Sequence, residues 1–213
     1  QKNSMELFGY EYTSEKLKGL RDLFIHAKTL YAYRLNGEGT KAANSYAKAR
    51  YPGIRGNELK TVIQINADDE RLFDVKTLLG TTVVDEQTVS DATGLNANKY
   101  VTWNLDTTLE VTAGVPFTGG ENGETNGAAY QKYLDSIEAY TFHTMGVVVT
   151  DNPTKALFAA FVKRLRDEMG IKFQLVLYDY AKADYYGTIS IKNKVVNEGW
   201  SEAGLVYWVT GAS

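Results

Sequence analysis

"TMGVVVTDNPTKALFAAFVKRLRDEMGIKFQLVLYDY", residues 144–180, sets two apolar runs on either side of one amphipathic segment. The first run, 144–150, is short and wholly apolar at its centre, as in strands covered on both faces. Asp151 or Asn152 can cap the segment that follows, Pro153 suits its first turn and Gly170 can end it. Leu157, Phe158, Phe161, Val162, Leu165 and Met169 recur at helical spacing and form its expected buried stripe. "IKFQLVLYDY" (171–180) is the second strand. Strand, helix and strand with short joints make an α/β unit, and a right-handed crossover makes the two strands parallel.

The same alternation extends in both directions. Upstream, residues 127–140 place Tyr130, Tyr133, Leu134 and Ile137 at helical spacing. Downstream, "GTISIKN" (187–193) reads as a further strand. The last segment, "SEAGLVYWVTGAS", is β-rich in composition, but Ser201 and Glu202 resemble a helix start, which favours helix.

The first half follows a different rhythm. "TSEKLKGLRDLFIHAK" (13–28) sets Leu17, Leu20, Leu23, Phe24 and Ala27 on one helical face. "TLYAYRLN" (29–36) changes to a strand rhythm and stops at Gly37-Glu38-Gly39. Residues 41–50 fit helix by their Ala and Lys content and strand by their alternation, and "YPGIRGN" (51–57) is turn chemistry. "LKTVIQIN" (59–66) is a strand, two runs flanking Gly80 form a hairpin, and 99–104 and 107–112 add two more strands. Short strands at this spacing suggest a small β-sandwich. The compositional shift near 95–105 predicts three regions: a helical segment belonging to the core at 1–28, a β-sandwich at 29–98 and the α/β core at 99–213.

Composition excludes several function classes. The net charge is −3, whereas a nucleic-acid binder normally carries a basic face. No apolar run approaches the roughly 20 residues of a membrane span. The chain has no cysteine, so it has no disulfide, thiolate metal site or cysteine nucleophile, which suits intracellular assembly. Charge is uneven: 11 basic and 6 acidic groups over 1–63, 3 and 11 over 64–125, and 9 of each over 126–213. A solvated face explains that pattern, and so does docking between copies. The chain starts at Gln1 without Met, so its natural start is expected upstream.

Chemistry is sparse. In "FTGGENGETNGAAYQKYLD" (117–135) four glycines precede a helix, the shape of a phosphate loop. Glu121 and Glu124 would repel a phosphate, and no Lys-Ser or Lys-Thr pair opens the helix. The two histidines, His26 and His143, flank apolar elements, and no serine sits in G-x-S-x-G. Asp68-Asp69-Glu70 lacks the alternating ligands of a calcium loop and reads as a solvated turn. Asp179, Asp184 and the tyrosines of "YDYAKADYY" admit a sugar or proton site, although strand ends and aromatic rims explain them equally. No catalytic, cofactor-binding or metal residue is therefore assigned, and no cofactor is expected.

In order, "MELFGYEYTSEKLKGLRDLF", "AKTLYAYRLN", "KARYPGIRGNELKTVIQI", "FDVKTLLGTTVVDEQTV", "FTGGENGETNGAAYQKYLDSIE" and "DYYGTISIKNKVVNEGWSEAGLVYWVTGA" closely resemble the contractile tail sheath proteins of phages and phage-like particles of Gram-positive bacteria. "YPGIRGN" before a strand and "GGENG" before a helix are the most specific pieces. The resemblance covers nearly the whole chain. It implies a subtilisin-like α/β core without protease motifs, a parallel-containing sheet and a small β-sandwich, α+β overall. It favours strand for 41–50 and helix for 201–212. It makes the glycine stretch a sharp turn leading into the α/β core, with no ligand.

The resemblance also implies a structural, non-enzymatic subunit that polymerises around an inner tail tube and contracts to drive it through a bacterial envelope. The implied partners are copies of itself in stacked rings, the tube protein, the baseplate and the tail terminator, with no nucleic acid and no membrane. The implied location is a virion or particle tail assembled in the bacterial cytoplasm. Sheath proteins carry an N-terminal arm and a C-terminal domain that link subunits by strand addition. Neither lies within these residues, so a trimmed, monomeric core fragment is expected. The alternatives are an α/β hydrolase-like enzyme and an adhesive or sugar-binding β-module.

Overall fold

The computed structural model describes residues 3–213 and divides into two compact units, one of 3–9 and 34–125, the other of 10–33 and 126–213. The first is the β unit. It holds a short helix α1 (Ser4–Phe8) and strands β1 (Ala47–Ala49), β2 (Leu59–Ile65), β3 (Phe73–Leu79), β4 (Thr82–Val89), β5 (Val101–Trp103) and β6 (Thr112–Pro116). Four strands form an antiparallel sheet in the order β4-β3-β2-β6, and β1 pairs with β5 in a second sheet. Alternation decides which side chains go inside: β2 buries Leu59, Thr61 and Ile63, and β3 buries Val75, Thr77 and Leu79. The two buried hydroxyls have partners, Thr61 from the Asn44 amide (3.1 Å) and Thr77 from the Asn98 amide (3.3 Å). Ala47, Ala49 and Val101 from the small sheet share one core with Leu59, Leu79 and Phe117. The β3–β4 hairpin turns at Gly80, whose φ of 63° few other residues adopt.

Three expectations change here. The boundary does not fall at 98/99: residues 99–125 belong to the β unit, because Val101 and Phe117 fill its core and β6 pairs with β2. Residues 3–9 join it as well, so 1–28 is not a single segment of the α/β core. The strand expected at 107–112 begins only at Thr112, as an edge strand, where Pro116 is tolerated.

The second unit is α/β. It contains α2 (Lys18–Leu23), α3 (Gly127–Ile137), β7 (Thr144–Gly146), α4 (Asn152–Asp167), β8 (Gln174–Tyr178), β9 (Thr188–Ile191) and α5 (Leu205–Ala212). The expected caps are present: the Asp151 carboxylate accepts from Thr154 N (2.8 Å) and the Asn126 amide oxygen from Ala129 N (3.1 Å). β7, β8 and β9 form a parallel sheet with β8 in the middle, as the β-α-β reading predicts. Leu175 and Leu177 of β8 enter a core with Phe158, Phe161, Val162 and Leu165 of α4. Val176 and Tyr178 face the other way, into a cluster with Ile191, Ala203 and Val206 of the α5 side. Burial on both faces explains the unbroken run Leu175, Val176, Leu177 and Tyr178 in that strand.

The α4 stripe differs at its ends. Met169 is 52 % exposed because the helix stops at Asp167 and Gly170 turns left-handed. Lys155 is buried instead, with its ammonium 5.5 Å from the Tyr178 ring centre. Residues 29–33 form no strand. Tyr31 and Tyr33 pack against Tyr140 and Tyr133 at ring distances of 4.9 and 5.6 Å, so ring packing takes the place of a backbone ladder. Helix 13–28 shortens to a 3-10 turn, Glu15–Leu17, followed by α2.

Candidate functional site

The glycine stretch, the first candidate, is a clasp inside the β unit. Thr40 and Glu121 exchange backbone hydrogen bonds (2.9 and 3.1 Å), as do Ala43 and Thr118 (2.9 and 3.0 Å). The Asn57 side chain holds Gly120 from both sides, accepting from its N–H (2.8 Å) and donating to its carbonyl (2.9 Å). A Cβ on Gly39 would stand 1.9 Å from the Glu121 carbonyl oxygen, and one on Gly123 2.6 Å from Glu38. The glycines are there for close backbone approach. Only Gly119 of this loop is left-handed, at φ 76°, so sharp turning is the smaller part of their role. The amides of Thr118, Gly120, Glu121 and Gly123 are bonded to the chain itself.

The histidines are not brought together with a nucleophile. His26 meets Trp208 edge-on at 5.1 Å, and the His143 carbonyl accepts from Gln174 N (2.9 Å) where β7 meets β8. Among the described residues, neither imidazole bonds a serine hydroxyl or a carboxylate. Asp69 pairs with Arg71 through both carboxylate oxygens (3.0 and 2.8 Å), which holds its pKa below the usual carboxylate range. The Asn66 side chain accepts from the amides of Asp68 and Asp69 (both 3.0 Å), so this acidic cluster is a bonded turn. No group of three or more His, Asp or Glu among the described residues is placed to hold a metal ion.

The "YDYAKADYY" stretch does form a pocket. The crossover from β8 to β9 passes through two non-glycine residues in the left-handed region, Asp179 (φ 41°) and Asp184 (φ 31°). With β9 it encloses about 340 Å³, lined by Tyr180, Asp184, Tyr185, Tyr186, Thr188 and Ser190. Tyr185 donates to the Asp167 carboxylate (2.7 Å), and burial, followed by hydrogen bonding with Tyr186 and Asp167, pushes its phenol pKa up. Tyr186 reaches the same oxygen at 3.4 Å, while the Arg166 guanidinium lies 4.7 Å from its ring centre. The Ser190 hydroxyl accepts from Tyr180 N (2.8 Å), and the Thr188 hydroxyl oxygen is buried without a partner. Asp179 does not line the pocket. Sequence reasoning missed Arg166, Asp167, Thr188 and Ser190, and no local signal marks them, since they arrive from α4 and β9.

Two further concavities are present. One in the β unit, about 780 Å³, lies beside the Glu6–Lys99 ion pair and the Arg50 side chain, which donates to Asn98 O (3.0 Å). The other, about 330 Å³, runs between Leu30–Tyr33 and α3 in the α/β unit and is walled by tyrosines.

Comparison with known proteins decides what these units are. Residues 37–122 match the phage tail sheath protein β-sandwich domain, and residues 123–213 match the phage tail sheath protein central domain. The chain belongs to the phage tail sheath protein family. A sheath tail protein of Desulfitobacterium hafniense is 41 % identical, with a TM-score of 0.89 over 98 % of this chain and 52 % of its own. A sheath tail protein of Listeria innocua is 31 % identical, with a TM-score of 0.85 over 99 % and 50 %. Among curated relatives, a phage-like element PBSX protein of Bacillus subtilis is 35 % identical over 91 % of this chain and 47 % of its own. The chain thus spans about half the length of the relatives it matches. The family boundary, at 122/123, agrees with the compact units and not with 98/99.

Proposed function

We propose that these residues are the structural core of a contractile tail sheath subunit. The observation that carries this is the tandem match of both compact units to the two successive sheath domains, with solved sheath proteins superposing on nearly the whole chain. In this reading many copies stack as rings around an inner tube and end at the baseplate and the terminator. Contraction repacks them as near-rigid bodies into a wider, shorter lattice that drives the tube through an envelope. The work is mechanical and needs no catalytic group, cofactor or metal. The uncombined histidines and the self-bonded glycine loop support that reading. The particle is a virion or phage-like tail assembled in the bacterial cytoplasm. To test it, the natural reading frame is expressed and viewed by negative stain. Hollow tubes of sheath diameter are expected, and a dispersed protein that hydrolyses an ester or peptide panel, with loss on His143→Ala, would overturn it.

A further inference from the structure

The Tyr180–Ser190 pocket is built from groups that still need a partner. The Asp184 carboxylate accepts no hydrogen bond or ion pair among the described residues, although Lys182 is on the same turn. The Thr188 hydroxyl oxygen is buried and unpartnered, a costly state for a polar atom. The phenols of Tyr185 and Tyr186 both direct their donors to Asp167, and the one charged group lining the pocket is the Asp184 carboxylate. Tyr186 is 72 % exposed even with the Arg166 guanidinium over its ring, and its ring centre lies 4.5 Å from that of Tyr185. A pocket whose one charged lining group is a carboxylate, beside a largely exposed aromatic ring, fits a positively charged donor, which describes Lys and Arg side chains. A volume of about 340 Å³ admits one long side chain and excludes a helix.

We infer that this pocket receives a Lys or Arg side chain from a second copy of the chain, with Asp184 as its counter-ion and Tyr186 as its platform. This rests on the sheath reading for the identity of the partner, while the chemistry rests on the pocket alone. Asp184 joins the pocket lining through a left-handed backbone conformation, which Asp tolerates better than most residues. An inter-copy contact of this kind fixes register and orientation more than it adds affinity.

The protein expressed from its natural reading frame provides the test. Assembly is followed by sedimentation and negative stain for the parent, Asp184→Asn, Tyr186→Ala and, as an exposed control in the β unit, Asp106→Asn. The first two variants should each raise the concentration needed for assembly about three- to tenfold, in line with an ion pair combined with a cation–π contact. Asp184→Glu should recover part of the loss, and the thermal midpoint of the unassembled subunit should stay at the parent value. A photo-crosslinker installed at Tyr186 in mixed light and heavy subunits should capture a Lys- or Arg-containing peptide of the other copy. Unchanged assembly in Asp184→Asn and Tyr186→Ala overturns the inference and leaves the sheath reading intact. So do crosslinks confined to the same copy, or saturable binding of a neutral saccharide that Asp184→Asn abolishes. Absence of tubes from the parent itself overturns the sheath reading instead.

Discussion

At the residue scale, the clasp glycines are the most exacting positions in the chain. Gly39→Ala forces its new methyl against the Glu121 carbonyl, and Gly120→Ala against that of Gly53 at 2.6 Å, so backbone must move in both cases. Each substitution should cost about 1–3 kcal/mol, the usual range for overpacking, read as a fall in the denaturant midpoint. Gly127→Ala, with nothing within 4 Å of the new methyl, should leave stability unchanged or slightly raised. If Gly39→Ala unfolds at the parent midpoint, the clasp is not a close backbone contact. The sequence shows that glycines cluster here. It cannot show that Gly39 and Gly120 meet Glu121 and Gly53, because those approaches join segments dozens of residues apart.

At the element scale, α4 is specified at both ends and along one side. Its cap, Asp151, has a pKa held below the usual carboxylate value, chiefly by the Thr154 backbone N–H. A lowered folded pKa gives stability that is fully present above the unfolded value, 3.8, and lost as pH falls through the lower folded value. Asp151→Ala should therefore destabilise by about 1 kcal/mol near neutral pH, with the gap to the parent closing as pH falls below 3.8 and through the lower folded value. Equilibrium unfolding at pH 7 and along a series descending below pH 3.8 checks this, and a gap that never narrows would refute the charge-assisted cap. Phe158, fully buried between α4 and the parallel sheet, sets the larger cost: Phe158→Ala should lose about 3–5 kcal/mol. The helix and its caps were legible because every signal is local. The Tyr31 and Tyr33 segment was not, since alternation in sequence looks the same for a strand and for an extended strap stacked on a helix.

At the scale of the whole molecule, the prediction concerns assembly. The chain spans about half of its relatives, and strand exchange through flanking segments is what the family resemblance implies for their linkage. Core contacts alone lack the avidity of covalently linked strands, commonly a factor of about 10²–10⁴. Light scattering of residues 1–213 at micromolar concentration should give a mass near 23.7 kDa, and the full reading frame should give tubes. Tubes from residues 1–213 alone would show that core interfaces hold the lattice.

By itself the sequence determined the α/β class, the parallel pairing of β7 with β8, the Gly80 hairpin and the absence of a recognisable catalytic motif. Those follow from periodicity, caps and turn residues, which act over a few positions. Only the tertiary structure decided the rest. Val101 and Phe117 belong to the β unit because they fill a core made with much earlier strands, as in the pairing of Ala49 with Val101, 52 positions apart. Lys155 is inside and Met169 outside because packing, and not hydropathy, chooses which end of a stripe is covered. The Asp184 pocket exists because the β8–β9 crossover folds back on β9. Local chemistry selects elements, whereas contacts distant in sequence select their neighbours.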